Sequence, residues 1–227
     1  MPDFHFTTHR SKLYHYLGVG IICLLLVFLL FGGDKTPSSG LSDVQPPPKT
    51  EFWRTKAEEA KARLQVDPNN KDYLFQLGIS QAMLGEIEAS IQTFQTIDRL
   101  DQEGTYAQEV IARYAGDPKY SENLLVQSYL AFAYYVQEDY PASVEAFDRV
   151  IRLDPGNPWP LNYQGFSLYQ CGRLDKAVQT LEKSVRLDES NQYSHMLLGM
   201  AYYEQGHLFK ALAELAKARG VIGKFLK

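Results

Sequence analysis

A chain of 227 residues that is 45% hydrophobic and 13% aromatic has enough apolar material for one medium-sized core, which excludes disorder throughout. Its 23 Lys and Arg against 27 Asp and Glu leave a net charge of −4, and nucleic-acid binding, which needs clustered cations for the phosphates, is excluded with it. The two cysteines, Cys23 in a hydrophobic run and Cys171 at a predicted helix end, build neither a disulfide framework nor a metal cluster.

Residues 1–12 form a short polar tail that brings Arg10 and Lys12 next to a hydrophobic run. From Leu13 to Gly33 the only ionisable side chains are those of Tyr14, His15 and Tyr16. At about 1.5 Å per residue, roughly 20 residues cross a hydrocarbon layer ~30 Å thick, so a transmembrane helix is expected over 13–33. A cleaved signal peptide is the other reading. The run exceeds the roughly 7–15 residues of such peptides, and the bulky Phe31 stands where a small residue would precede cleavage, so an uncleaved anchor is favoured. Arg10 and Lys12 then place the N-terminus in the cytoplasm and the rest of the chain on the extracytoplasmic side of the membrane. Residues 34–49, rich in Pro, Ser and Gly, read as an extended linker.

Thr50 opens a helical pattern with Trp53, Ala57, Ala60 and Leu64 on one face, predicting a capping helix over 50–66 that stops at Asp67-Pro68-Asn69-Asn70. Helical units are then expected over 71–104, 124–157, 158–191 and 192–219. Their period is plainest at the end of the chain, where Gly165 and Gly199, Gly172 and Gly206, Ala177 and Ala211, and Leu181 and Leu215 each recur 34 positions apart. A glycine in one helical pattern, a glycine at a turn and an alanine in a second pattern describe two antiparallel helices in close approach. Gly78 and Ala131 are 53 positions apart, one period plus 19, so something is inserted. Tyr106, Val110, Ile111 and Tyr114 predict an extra helix over about 105–115. Residues 220–227 read as a C-terminal tail.

The unit resembles the tetratricopeptide repeat (TPR), whose pattern of W-x2-L-G-x2-Y followed by A-x3-F is met by Leu198, Gly199, Tyr202, Ala211 and Leu215. Departures fall at Gln81, where an aromatic is usual, at Gln164, where leucine is usual, and at Ala131, which replaces the glycine. The resemblance implies an all-α fold, a right-handed superhelical stack of TPR hairpins (an α-solenoid) after one N-terminal transmembrane helix. It also implies a binding scaffold, since the family is defined by packing and not by a reaction.

The histidines are His5, His9, His15, His195 and His207; none belongs to a zinc-ligating or Cys-His pattern, and no nucleophile elbow or phosphate loop occurs. No catalysis, cofactor, metal or small-molecule substrate is therefore expected. His195 falls at a position that packs between helices and reads as a satisfied core histidine.

In the family, the first helix of each hairpin faces the concave side with positions 2, 5, 9 and 12 of the unit. Those positions imply a peptide-binding groove lined by Phe75 in the first unit and by Phe132 and Tyr135 in the second. Trp159, Asn162, Phe166 and Tyr169 follow in the third, and Tyr193, Met196, Met200 and Tyr203 in the fourth. Clamps for acidic peptide C-termini use Lys, Arg and Asn there, and only Asn162 could serve, so an apolar or proline-rich protein segment is the expected client. The whole then reads as a membrane-anchored adaptor. Two alternatives stand beside it: an assembly factor for one client, since residues 61–78 look loosely like accessory proteins of cytochrome c maturation, and a structural protein that self-associates through its C-terminal end.

Overall fold

The computed structural model describes residues 48–225. Among them are eleven α-helices, one short 3-10 turn and no strand. In chain order the helices are α1 (Thr50–Leu64), α2 (Lys71–Leu84), α3 (Ile87–Leu100), α4 (Tyr106–Tyr114), α5 (Leu124–Val136) and α6 (Tyr140–Leu153). They continue with α7 (Pro158–Gln170), α8 (Leu174–Leu187), α9 (Gln192–Glu204), α10 (Leu208–Lys217) and α11 (Arg219–Phe225). The hairpins are α2/α3, α5/α6, α7/α8 and α9/α10, with α4 inserted after the first. The expected single-pass localisation is corrected here: no helix among the described residues is long and apolar enough to cross a membrane. The expected span, 13–33, lies outside the described residues, as do the tail before it and most of the linker after it.

Local chemistry sets the helix ends. Asn70, Asn123, Asn157 and Asn191 each precede a first helix and accept a backbone N–H of its first turn, satisfying a donor the helix cannot. Each hairpin turn needs one residue in the left-handed region. Gly85, Gly172 and Gly206 supply it with φ of 78°, 68° and 78°, and in the second hairpin Glu138 does so at φ 60° without the glycine's freedom.

Within the hairpins the small residues mark real contact. A Cβ on Gly165 would lie 2.6 Å from Leu181, and one on Gly199 would lie 2.7 Å from Leu215. Two of the three departures from the repeat pattern are satisfied polar groups. Buried Gln81 accepts the Thr93 hydroxyl at 2.8 Å, and buried Gln164 donates to the Val144 carbonyl at 3.1 Å.

From α5 onward each second helix packs on the next first helix, α6 on α7 and α8 on α9. The first hairpin does otherwise, because α2 lies against both α5 and α7. The insert makes this bend possible and is tied down at its start: Asp101 accepts from the Tyr106 backbone N–H and the Lys71 ammonium, while Asp72 accepts from the Tyr106 hydroxyl and the Arg113 guanidinium. Helix α1 is held at Asp154, a fully buried carboxylate in the loop between α6 and α7. Its Oδ1 accepts the Lys49 backbone N–H at 2.8 Å, and its Oδ2 accepts the Trp53 indole N–H at 2.9 Å and the Asn157 amide at 3.0 Å. Asn157 also donates to the Met83 carbonyl at 3.1 Å. The result is one continuous apolar cluster from Trp53 through Phe147, with a second around Leu181 and Leu198.

The segment expected as a C-terminal tail instead forms α11, which packs on α9 and buries Val221 and Ile222. Gly220 permits the approach, since a Cβ there would lie 2.5 Å from the Gln192 amide, and Gln192 accepts the Val221 N–H at 3.1 Å.

Candidate peptide-binding surface

The concave positions of α2 and α5 are not open. Phe75 and Phe132 are each 2% exposed, so they are removed from the expected groove. Phe75 packs edge-on against Phe94 and Tyr106, and Phe132 stacks on Phe94 and meets Tyr163 at 4.8 Å. The cause is the bend of the first hairpin, which turns the inner faces of α2 and α5 into core. Tyr135 is half-buried among Tyr140, Phe147, Tyr163 and Phe166 and forms the wall where that core ends.

On α7 and α9 the same positions divide by depth. Asn162 and Met196 are buried and are likewise withdrawn from the surface. Asn162 belongs to a buried polar knot in which its Oδ1 accepts the Ser184 hydroxyl at 2.8 Å, with Ser194 2.9 Å from the same hydroxyl. Trp159, Phe166 and Tyr169 of α7, and Tyr193 and Met200 of α9, are half-buried, while Tyr203 is exposed. At 1.5 Å per residue, their spacing of ten residues along each helix makes a strip about 15 Å long and two helices wide.

Rings and carboxylates fix the strip's side chains. Trp159 meets Tyr193 at 5.7 Å between ring centroids, and Phe166 stacks on Tyr169 at 6.4 Å. The Tyr193 hydroxyl donates to Glu88 at 3.3 Å, and the Tyr169 hydroxyl donates to Glu204 at 3.2 Å. Glu88 comes from the first turn of α3, so the first hairpin contributes one edge of the strip. Sequence reasoning missed Glu88, Asp154 and the seat of Gly85 on Trp159, because nothing in the repeat register says that the first hairpin returns to the third.

Burial pushes the phenols of Tyr135 and Tyr163 far above the ordinary tyrosine value of 10.0. Burial also pushes Tyr140 up to about 12, and Tyr193, where Glu88 adds to it, up to about 12. In the unfolded chain these groups ionise near 10, so above that pH the folded state holds more protons than the unfolded one and stability falls as pH rises. The expected urea midpoint is insensitive to these groups below pH 10 and drops between 10 and 12. Each protected tyrosine contributes a slope of up to about 1.4 kcal/mol per pH unit. A Tyr135→Phe/Tyr163→Phe variant should lose stability less steeply; an equal slope would show that these phenols titrate normally.

Buried His195 has both ring nitrogens engaged, Nδ1 with Glu214 at 2.5 Å and Nε2 with the Glu189 carbonyl at 3.0 Å. His207 is exposed in its turn. No group of three or more metal-ligating side chains occurs among the described residues.

Residues 165–206, from the middle of α7 to the turn after α9, match the family model of the TPR repeat. The match runs from within α7 through all of α9. Among solved structures, a crystal structure of MamA is 21% identical over 82% of this chain and 99% of its own, with a TM-score of 0.41. MamA MSR-1 in form C2 is 18% identical over 79% of this chain and 99% of its own, with a TM-score of 0.47. MamA 41-end from Desulfovibrio magneticus RS-1 is 15% identical over 80% of this chain and 96% of its own, with a TM-score of 0.44. None of the curated proteins matches the chain.

Proposed function

We propose that the chain is a protein-interaction scaffold that takes a segment of a partner protein along the aromatic strip of α7 and α9. The observation that carries this reading is that the strip's rings stay half-exposed although the chain has ample apolar side chains for its core. Rigid aromatic groups of this kind offer large contact area at low entropy cost, and tyrosine adds a hydroxyl for the backbone of an extended segment. The client surface is half the expected groove: Phe166, Tyr169 and Tyr203 form its centre, with Trp159, Tyr193 and Met200 beside them.

The test is selection of displayed random peptides on the full-length chain, followed by affinity measurement on the selected sequences. Truncating Phe166, Tyr169 and Tyr203 to alanine should weaken them, by about 2 kcal/mol or more at the best-seated ring. The folded state should survive, because these rings are not fully buried. Selected peptides that bind the triple variant as tightly as the parent would place the site elsewhere.

A further inference from the structure

The charge pattern around the strip narrows the kind of segment it takes. Helices α7 and α9 contain no lysine or arginine, and neither does α5 beside them. The carboxylates that reach the strip, Glu88 and Glu204, are both exposed and both accept a hydroxyl from one of its tyrosines. Each therefore sits at the edge of a ring whose face is negative by its quadrupole. Ring face and carboxylate together form a pair that suits a lysine ammonium or an arginine guanidinium and repels an anion.

Resting on the reading above, we propose that the partner segment is cationic: an extended peptide whose lysine or arginine side chains seat against Tyr193 with Glu88 and against Tyr169 with Glu204. The two pairs stand at opposite ends of α9, and Tyr193 and Glu204 are separated by about 16 Å of helix. An extended chain advances about 3.3 Å per residue, so the two cations fall roughly five positions apart, with apolar residues between them over Phe166 and Met200. The same pairs disfavour a carboxylate-bearing segment.

The experiment uses three short fluorescein-labelled peptides of leucine, serine and proline, titrated into the full-length chain by anisotropy at physiological ionic strength. One carries two arginines about five positions apart, one carries them adjacent, and one has glutamates in place of the spaced arginines. The spaced-arginine peptide is expected to bind about tenfold more tightly than the glutamate peptide and measurably more tightly than the adjacent one. A Glu88→Gln/Glu204→Gln variant should erase both preferences. A Glu103→Gln/Glu145→Gln variant, which removes the same charge from exposed positions of the first and second units, should erase neither. Equal loss in both variants, or no difference between the arginine spacings, reduces the effect to net charge and overturns the proposal. If the peptides bind alike and all are lost in the Phe166/Tyr169/Tyr203 triple alanine variant, the cationic specificity fails while the strip remains the binding site. If none of the three binds and display selection also yields nothing, both readings fail.

Discussion

Replacing Asp154 by alanine is expected to destabilise the folded chain by about 3–5 kcal/mol, the largest single effect this structure implies outside wholesale core truncation. The change leaves the buried Trp53 indole N–H, the Lys49 backbone N–H and the Asn157 amide without their shared acceptor. Water reaches none of them easily, because Asp154 and Trp53 are both 0% exposed. The control is built into the sequence. Asp188 occupies the same place in the next repeat, but its carboxylate accepts only from Ser190, two residues away. Asp188→Ala should cost no more than about 1 kcal/mol, the usual net worth of such local bonds. Urea denaturation of both variants measures the difference, and equal midpoints would mean that α1 is not held at this loop. Trp53→Phe, which keeps most of the ring and loses the N–H, should be costly in the parent and nearly silent in Asp154→Ala.

Gly85→Ala is expected to cost about 2–4 kcal/mol, through two separable effects. Gly85 has φ 78°, where a side chain is strained, and an added Cβ would lie 2.6–2.8 Å from the Trp159 indole. Gly206 has the same φ of 78° in the corresponding turn of the fourth repeat, with no atom within 4 Å of the added carbon. Gly206→Ala therefore measures the backbone term alone, about 1–2 kcal/mol. The excess at Gly85 reports the seat of the first hairpin on the third. Shrinking the neighbour by Trp159→Leu should bring the two glycine variants together. If they already agree in the parent background, the first hairpin does not rest on Trp159, and Glu88 loses its place at the strip.

The expected superhelical stack and the observed chain agree in what a repeat can encode and part where it cannot. The hairpin helices, the turns at Gly85, Gly172 and Gly206, and the close approach at Gly165 and Gly199 were legible because each depends on residues within one 34-residue unit. On α7 and α9 the same offsets leave Trp159, Phe166, Tyr169, Tyr193, Met200 and Tyr203 at least partly exposed, but bury Asn162 and Met196. Phe75 and Phe132 were misplaced for the opposite reason: their positions in the unit are concave, and only the return of the first hairpin buries them. The membrane placement rested on residues 13–33, which lie outside the described part of the chain, and no described helix supplies a span.

By itself the sequence determined a helical repeat protein, with its hairpin boundaries, its asparagine caps and the apolar character of the strip. These follow from period, propensity and capping, which act over a few residues. Only the tertiary structure decided that Asp154, and not the equivalent Asp67 or Asp188, receives Trp53 from 101 residues away, and that Glu88 borders Tyr193 from 105 residues away. The three aspartates share one D-x-x-N motif, closed by Asn70, Asn157 and Asn191. Such pairings depend on how the insert between the first two hairpins redirects the chain. A rotation accumulated over several helices sets that direction, and no local pattern of residues carries it.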